Sequence, residues 1–298
     1  MDSKQPIVSF LSNSIRFLDS TNIFISLAAV SLALATQVQL GMKPEVHPYL
    51  FIIFYATLLE YNSQRLIAIV RNSGNSRGST YPWARQYRWL LFAVFLLSIV
   101  LFIGAILLAK REILMVLAPV ALITFLYSLP GLSGQTNIFR LRELPFLKIF
   151  LVAAIWSIVT VLFPVIYSGN IRFSLMWMML AERFLFIFAI AIHFDIRDMK
   201  VDSMTKLKTI PLFLGEINAL ALAKVSLLLF FGISVFHVLY RDMVFVLPAL
   251  IASVILVVSV INKKETMASA RYYGLLDGTM LIQGLLISLC YYLNSLIA

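Results

Sequence analysis

The chain has little cysteine, little histidine and few charged residues. Its 298 residues include one cysteine, Cys290, which excludes an internal disulfide framework and a cysteine-rich metal site. The three histidines are scattered and give no spacing typical of a zinc site. Charged residues make up 13% of the chain, about half the roughly 25% of a soluble domain. With 61% hydrophobic residues, this composition excludes an ordinary soluble domain and indicates a polytopic membrane protein.

Long apolar runs predict how often the chain crosses the bilayer, since a spanning helix needs about 20 apolar residues. We predict an all-α protein with one transmembrane helical domain over residues 1–298 and cytoplasmic loops at about 71–87, 131–145 and 196–216. The nine predicted spans lie at about 22–42, 49–70, 88–109, 112–130, 146–168, 172–195, 217–240, 242–262 and 272–296.

Lysine and arginine are unevenly distributed between the two ends of these spans. Sixteen lie at one side and five at the other, and three lie inside spans: Arg65, Arg183 and Lys224. Because cytoplasmic loops carry the excess of positive charge, we expect a cytoplasmic N-terminus. We expect a multi-pass protein of the bacterial inner (cytoplasmic) membrane. The net charge of +10 follows from the same bias, so no nucleic-acid partner is expected.

Three carboxylates lie near the end of the sixth predicted span. Asp195, Asp198 and Asp202 are spaced i, i+3 and i+7, which places them on one helix face where they repel one another. A positive partner is therefore expected, and Mg²⁺ carrying a phosphate ligand is one candidate, with Lys206 and Lys208 available for phosphate oxygens. The alternative is a solvated helix end in which Asp202 pairs with Lys206. That alternative leaves Asp195 unpartnered at the edge of the apolar zone, where a charge is costly.

The string DIRDMKVDSMTKLKTIPLFLG resembles the second acidic motif of the UbiA superfamily of intramembrane prenyltransferases. Five residues of this chain align with positions of that motif: Asp198, Asp202, Thr209, Pro211 and Gly215. A second string, LYSLPGLSGQTNIFRLRELPFLK, is similar to the Tyr-Ser pair after the family's fourth helix and to the basic loop that ends in Leu-Lys. Helix number, orientation and motif placement agree over most of the chain.

The second string contributes four candidate residues. Lys148 matches the family's lysine and is expected to bind the diphosphate. Tyr127 could orient a phosphate oxygen or shield a carbocation with its ring, or it could be an interfacial aromatic without such a role. Arg140 and Arg142 could capture an anionic group, although the positive-inside bias alone explains them and is the favoured interpretation.

The end of the second predicted span departs from the family pattern. Family enzymes carry an Asn-Asp-x-x-Asp-x-x-x-Asp motif there, whereas this chain reads LLEYNSQRLIAIVRNSGNSRGS and has no aspartate from Thr21 to Phe194. Glu60, Asn62 and Gln64 would make a weaker Mg²⁺ site than three carboxylates. We hypothesise that Arg65 replaces a metal ion by binding the diphosphate directly. Alternatively, Glu60 and Arg65 neutralise each other or polar groups of neighbouring helices.

The resemblance implies nine transmembrane helices around a central lipid-accessible cavity and a Mg²⁺-assisted prenyltransferase. Such an enzyme moves an isoprenyl group from an isoprenyl diphosphate to an aromatic or other lipophilic acceptor. Asp195, Asp198 and Asp202 would be the catalytic metal ligands. The implied substrate-binding residues are Glu60, Asn62, Arg65, Tyr127, Lys148, Lys206 and Lys208. The degraded first motif supports the alternative of a non-catalytic or repurposed protein that binds a prenyl lipid on the same scaffold.

Overall fold

The computed structural model describes residues 17–18, 20–71, 86–128, 144, 146–169, 172–204, 207–262 and 271–297, and this part of the chain is helical with no strand. Its long helices are α1 (Ile23–Gln39), α2 (Pro48–Arg71), α3 (Arg88–Leu107), α4 (Arg111–Ser128), α5 (Leu147–Ser168), α6 (Phe173–Met204), α7 (Glu216–Tyr240), α8 (Leu247–Ile261) and α9 (Arg271–Ile297). A one-turn helix, Ile210–Leu214, follows α6, and a 3₁₀ turn, Val244–Val246, precedes α8.

Seven helices of the described part, α3 to α9, are long and apolar enough to cross a membrane. Helix α1 is apolar but has 17 residues, and the second half of α2 carries Glu60, Asn62, Gln64 and Arg65. The prediction of an all-helical, integral, multi-pass membrane protein is confirmed. The count of nine spans stays a prediction, because hydropathy and length qualify seven helices.

The helices pack as a ring in which most neighbours in sequence are neighbours in space. The main contacts join α3 to α2, α2 to α1, α1 to α9, α9 to α8, α8 to α7, α7 to α6 and α6 to α5. Helix α4 closes the ring through weaker contacts with α2 and α5. In α3 and α4 only 17% of the spanning residues are buried, so these two helices present mostly apolar side chains outward, as lipid-facing helices do.

Two helices approach each other so closely that a glycine is required. A Cβ atom added to Gly284 of α9 would lie 2.2 Å from the backbone oxygen of Ser31 in α1. Helix α1 contributes small residues around this point, including Ala28 and Ala35, which are fully buried. Small residues let helix backbones approach in membranes, so the α1–α9 seam is a close-packed part of the ring.

Helix α5 is not regular along its length. Its residues Ile158–Leu162 form a π-helical turn just before Pro164. Proline has no N–H to donate to the carbonyl four residues earlier, so the widened turn accommodates it within the helix. The widened turn packs against α1 and α6, which brings the middle of α5 inward toward the centre of the ring.

The segment predicted as a cytoplasmic loop at about 196–216 is largely helical in the structure. Helix α6 continues through the acidic residues to Met204, and the one-turn helix Ile210–Leu214 occupies most of the rest. Cations neutralise the carboxylates on this last part of α6, so their mutual repulsion does not end the helix. The other two predicted loops, 71–87 and 131–145, lie largely outside the described residues.

Candidate head-group site and apolar cavity

The carboxylates of α6 meet a lysine from α5. Lys148 Nζ lies 2.6 Å from Asp195 Oδ1 and 3.8 Å from Asp202 Oδ2. Both aspartates are buried, with 1% of Asp195 and 5% of Asp202 exposed. The second oxygen of Asp195, Oδ2, is also buried and accepts no hydrogen bond from the residues that the structure describes. Lys148 is therefore the positive partner that the spacing of these carboxylates requires.

The third carboxylate has a different partner. Asp198 accepts two hydrogen bonds from its neighbour Arg197, at 2.8 Å from Nε and 2.8 Å from the terminal nitrogen. The guanidinium also lies 5.0 Å from the centre of the Phe194 ring. About a third of the Asp198 side chain is exposed, so this pair sits at the edge of the bundle rather than inside it. Arg197 was not among the predicted site residues. Adjacent residues of a helix point in different directions, so the sequence did not indicate that Arg197 pairs with Asp198.

Backbone contacts fix the position of Lys148. Phe146, two residues earlier, adopts φ 64°, a left-handed conformation that is unusual for a bulky residue. Its amide N–H donates to the carbonyl oxygen of Lys208 at 2.9 Å, and its ring packs edge-on against Phe213 at 5.5 Å between centroids. These contacts tie the start of α5 to the segment that follows α6. They hold Lys148 in the turn of α5 that faces the aspartates.

An apolar cavity of about 550 Å³ lies between α2, α3, α4 and α5, with one contribution from α1. Its wall is mostly aliphatic and aromatic, and it includes Ile52, Phe95, Phe102, Leu117, Phe125 and Phe163. Polar side chains line the part nearer the end of α4: Glu60, Ser63, Thr124 and Ser128. A cavity of this size and composition suits a lipophilic ligand with a few fixed polar contacts.

Tyr127 links the polar end of the cavity to the ion cluster. Ser128 lines the cavity, and its neighbour Tyr127 lies close enough to Lys148 to interact electrostatically with it. Tyr127 and Lys148 are thus within electrostatic range of each other. A ligand with an apolar tail and an anionic head could have its tail in the cavity and its head near Lys148.

The polar residues of α2 divide between two environments. Glu60 faces the cavity, where its Oε1 accepts hydrogen bonds from the Ser128 hydroxyl and, at 2.6 Å, from Gln64 Nε2. Asn62 is fully buried against the turn before α1: its Oδ1 accepts from Asn22 Nδ2 at 2.8 Å, and its Nδ2 donates to the Thr21 carbonyl at 3.1 Å. Asn62 therefore makes interhelical contacts that account for its burial.

The other predicted residues are dispersed. Arg65 donates a hydrogen bond to the backbone oxygen of Ser20, which places its guanidinium beside the turn before α1. Lys208 has an exposed side chain and meets α5 through its backbone oxygen. Lys206, Arg140 and Arg142 lie outside the described residues.

Two cavity residues were missed by sequence reasoning. Tyr61 and Trp156 both line the cavity, and the Trp156 indole lies close to the Tyr61 hydroxyl. The sequence shows each of them only as an aromatic residue within an apolar run. Their pairing depends on the contact between α2 and α5, which no local pattern reveals.

The carboxylates of α6 are the candidate ligands for the predicted magnesium ion. Among the residues that the structure describes, no group of three or more His, Cys, Asp or Glu side chains is placed to hold a metal by itself. The buried, unpartnered Oδ2 of Asp195 is nevertheless a hard oxygen donor of the kind that Mg²⁺ takes. The residues fit one Mg²⁺ that completes its shell with phosphate oxygens and do not form an all-protein site.

The fold and site define an all-helical membrane protein with an apolar cavity next to a buried cluster of acidic and basic groups. The sequence profile of the UbiA prenyltransferase family matches residues 84–281, and the chain belongs to this family. Helices α1 and α2, which lack the family's first acidic motif, lie outside the matched range. No curated protein shows a significant sequence match to the chain.

Solved structures of UbiA homologues share the fold. A homologue from Archaeoglobus fulgidus is 14% identical, with a TM-score of 0.62 over 94% of this chain and 99% of that one. The same homologue has been determined bound to GPP and Mg²⁺, with a TM-score of 0.62. The apo structure of a homologue from Aeropyrum pernix K1 is 13% identical, with a TM-score of 0.65 over 89% of this chain and 97% of that one. At these identities the likeness concerns the fold.

Proposed function

We propose that the protein is an intramembrane prenyltransferase that moves an isoprenyl group from an isoprenyl diphosphate to a lipophilic acceptor. The observation that carries the proposal is an apolar cavity of about 550 Å³ lined by Ser128, whose neighbour Tyr127 lies within electrostatic range of Lys148 in the buried ion cluster. An amphiphile with a long apolar tail and a phosphorylated head matches that pairing of environments. The family match and the homologue bound to GPP and Mg²⁺ support the same substrate class.

The head-group site is assigned to the residues around Lys148. The Lys148 side chain is 27% exposed, and its ammonium group is proposed to contact phosphate oxygens while it stays close to Asp195. Tyr127 lies beside it, and Lys206, Lys208 and Arg65 are proposed as further phosphate contacts. A guanidinium or ammonium at the departing diphosphate stabilises the charge that develops as the allylic carbon–oxygen bond breaks.

Asp195, Asp198 and Asp202 are proposed to hold one Mg²⁺ together with the diphosphate. When bound, this ion would neutralise charge on the leaving diphosphate and polarise the bond that breaks. The protein residues supply oxygen donors at one edge of the site and cations at the other. The burial of Asp195 and Asp202 excludes bulk water from this edge.

A second candidate function is supported by the same cluster. Lys148 and Arg197 already pair with the aspartates of α6, and α2 offers one carboxylate where family enzymes have several. A protein with this arrangement could bind a prenyl lipid without turning it over. The two candidates differ in whether bound isoprenyl diphosphate releases diphosphate.

One assay separates them. The purified protein in detergent is given radiolabelled geranyl diphosphate, Mg²⁺ and an acceptor pool extracted from native membranes, and diphosphate release is measured. We expect turnover by the wild type and a loss of about 100-fold in both the Asp198→Asn and Asp202→Asn variants. The matched control is Asp242→Asn, which changes a carboxylate in the turn after α7. Binding of the lipid with no release from the wild type supports the second candidate.

The proposed function goes with a proposed orientation of the protein in its membrane. We infer that the Lys148 end of the bundle faces the cytoplasm and that the host membrane is a bacterial inner membrane. The excess of Lys and Arg at that end supports this orientation. A water-soluble diphosphate product would then leave into the cytoplasm.

A further inference from the structure

Glu60 is the carboxylate that lines the apolar cavity. The other ionisable side chain of its described wall is Tyr61, and the rest is apolar apart from small hydroxyl residues. A charged group in an apolar wall is costly unless it serves a ligand or a partner. The fold does not require Glu60 to neutralise Lys148, because Asp195 and Asp202 do so.

The hydrogen bonds of Glu60 leave one oxygen for a ligand. Both donors that reach it within the described structure, the Ser128 hydroxyl and Gln64 Nε2, meet Oε1. The Ser128 bond connects α2 to α4, the Gln64 bond lies within α2, and both hold the Oε1 end of the carboxylate, so Oε2 receives no donor from the described residues. An ionised carboxylate only accepts hydrogen bonds, so Oε2 calls for a ligand that donates one.

We propose that Glu60 binds the acceptor through a hydroxyl group and takes its proton during transfer. This inference rests on the proposed function and narrows the acceptor class to lipophilic alcohols and phenols. A lipophilic amine fits less well, because it would be protonated beside a carboxylate and its nitrogen would have no lone pair for attack.

The allylic carbon–oxygen bond to the diphosphate breaks, and its electron pair leaves with the diphosphate. A lone pair of the acceptor hydroxyl oxygen forms the new bond to the allylic carbon. The hydroxyl proton passes to Oε2 of Glu60, which later returns it to water. Tyr61 and Trp156 line the same cavity, and an aromatic ring stabilises a nearby positive carbon.

A binding experiment tests the hydroxyl preference without any turnover. The probes are 1-dodecanol and its methyl ether, which differ in the presence of an O–H donor. Binding is followed by the fluorescence of Trp156, which lines the cavity, with Trp156→Phe as the control for the signal. We expect the wild type to bind the alcohol about tenfold more tightly than the ether, as one hydrogen bond to a charged acceptor implies.

Two variants test whether the preference for the alcohol comes from Glu60. In Glu60→Leu we expect the two probes to bind equally, whereas Thr57→Val, which changes another polar residue of the cavity wall, keeps the tenfold preference. Equal binding of both probes by the wild type, binding of neither, or an unchanged preference in Glu60→Leu overturns the inference.

A kinetic experiment separates this inference from the proposed function. With radiolabelled geranyl diphosphate and 1-dodecanol, Glu60→Gln is expected to lower kcat at least 100-fold while the KM for the diphosphate changes less than twofold. Full activity in Glu60→Gln overturns the role of Glu60 and leaves prenyl transfer standing. Absence of diphosphate release by the wild type with 1-dodecanol and with the native acceptor pool overturns the proposed function itself.

Discussion

At the scale of single residues, the central feature is a lysine between two buried aspartates. Lys148 lies within 2.6 Å of Asp195 and 3.8 Å of Asp202, so a protein cation occupies the position that a metal ion could take in an acidic cluster. Breaking a buried ion pair by removing one partner leaves an uncompensated charge and is strongly unfavourable. Lys148 and a metal ion should therefore compete for the same carboxylates.

This competition predicts a gain of metal binding on removal of Lys148. In Lys148→Met, the freed carboxylates should bind Mn²⁺, as a stand-in for Mg²⁺, at least tenfold more tightly in the absence of diphosphate than the wild type does. The measurement is a titration followed by electron paramagnetic resonance of free Mn²⁺. Lys208→Met, which removes an exposed lysine of the same region, is the control and should behave like the wild type. Equal Mn²⁺ affinity in Lys148→Met and the wild type would contradict the competition.

At the scale of helices, neighbouring helices of the ring are held together by different kinds of contact. The α1–α9 seam is held by close backbone approach at Gly284, whereas α5 and α6 are joined by the Lys148–Asp195 ion pair. Helix α4 makes few contacts and forms one wall of the cavity. The loosely packed helix α4 therefore borders the cavity, whereas the close α1–α9 seam lies away from α4.

The close contact between α1 and α9 predicts that one added methyl group at Gly284 destabilises the protein. In Gly284→Ala, the new Cβ would lie 2.2 Å from the Ser31 backbone oxygen, so α1 and α9 must separate. We expect a loss of about 1–3 kcal/mol in stability, the usual range for overpacking a well-packed contact. The measurement is the apparent melting temperature in detergent.

Gly232→Ala in α7 is the control for that substitution, because an added Cβ there meets no atom within 4 Å. Its melting temperature should stay level or rise slightly, since alanine favours a helix over glycine. An equal fall in both variants would show that the seam at Gly284 is not the cause.

At the scale of the whole molecule, two polar layers lie at opposite ends of an apolar bundle. At the end opposite Lys148, Glu182 of α6 accepts a hydrogen bond from Gln39 of α1 at 2.8 Å and lies 2.7 Å from His237 Nδ1 of α7. These side chains are mostly buried and join three helices. Polar groups at membrane depth hold helices together when they pair in this way, so both ends of the ring are fixed.

The proposed orientation predicts which end a membrane-impermeant reagent reaches. The single cysteine allows a Cys290→Ser background, into which Ser203→Cys is introduced at the Lys148 end and Lys43→Cys at the opposite end. Both native side chains are exposed. On intact cells, a membrane-impermeant maleimide should label Lys43→Cys and should label Ser203→Cys only after permeabilisation. The reverse pattern would invert the topology.

Composition and local pattern predicted the fold class and the need for a cation beside the carboxylates of α6. Low charge content and long apolar runs made an all-helical membrane bundle predictable, because the bilayer allows few other structures. The spacing of Asp195, Asp198 and Asp202 predicted a shared helix face and a positive partner, since both follow from helix geometry. The resemblance pointed to Lys148, and the structure places that residue beside Asp195.

Contacts between helices distant in sequence were decided by the tertiary structure alone. The sequence does not show the hydrogen bond between Asn62 and Asn22 or the one between Glu60 and Ser128 at the cavity. It also does not show that Gly284 packs against the backbone of Ser31. A bilayer and a hydrophobic pattern determine that helices form, because each helix satisfies its own backbone. Which faces meet depends on the fit of side chains across the whole ring, and that fit decides where a cavity lies and which carboxylate lines it.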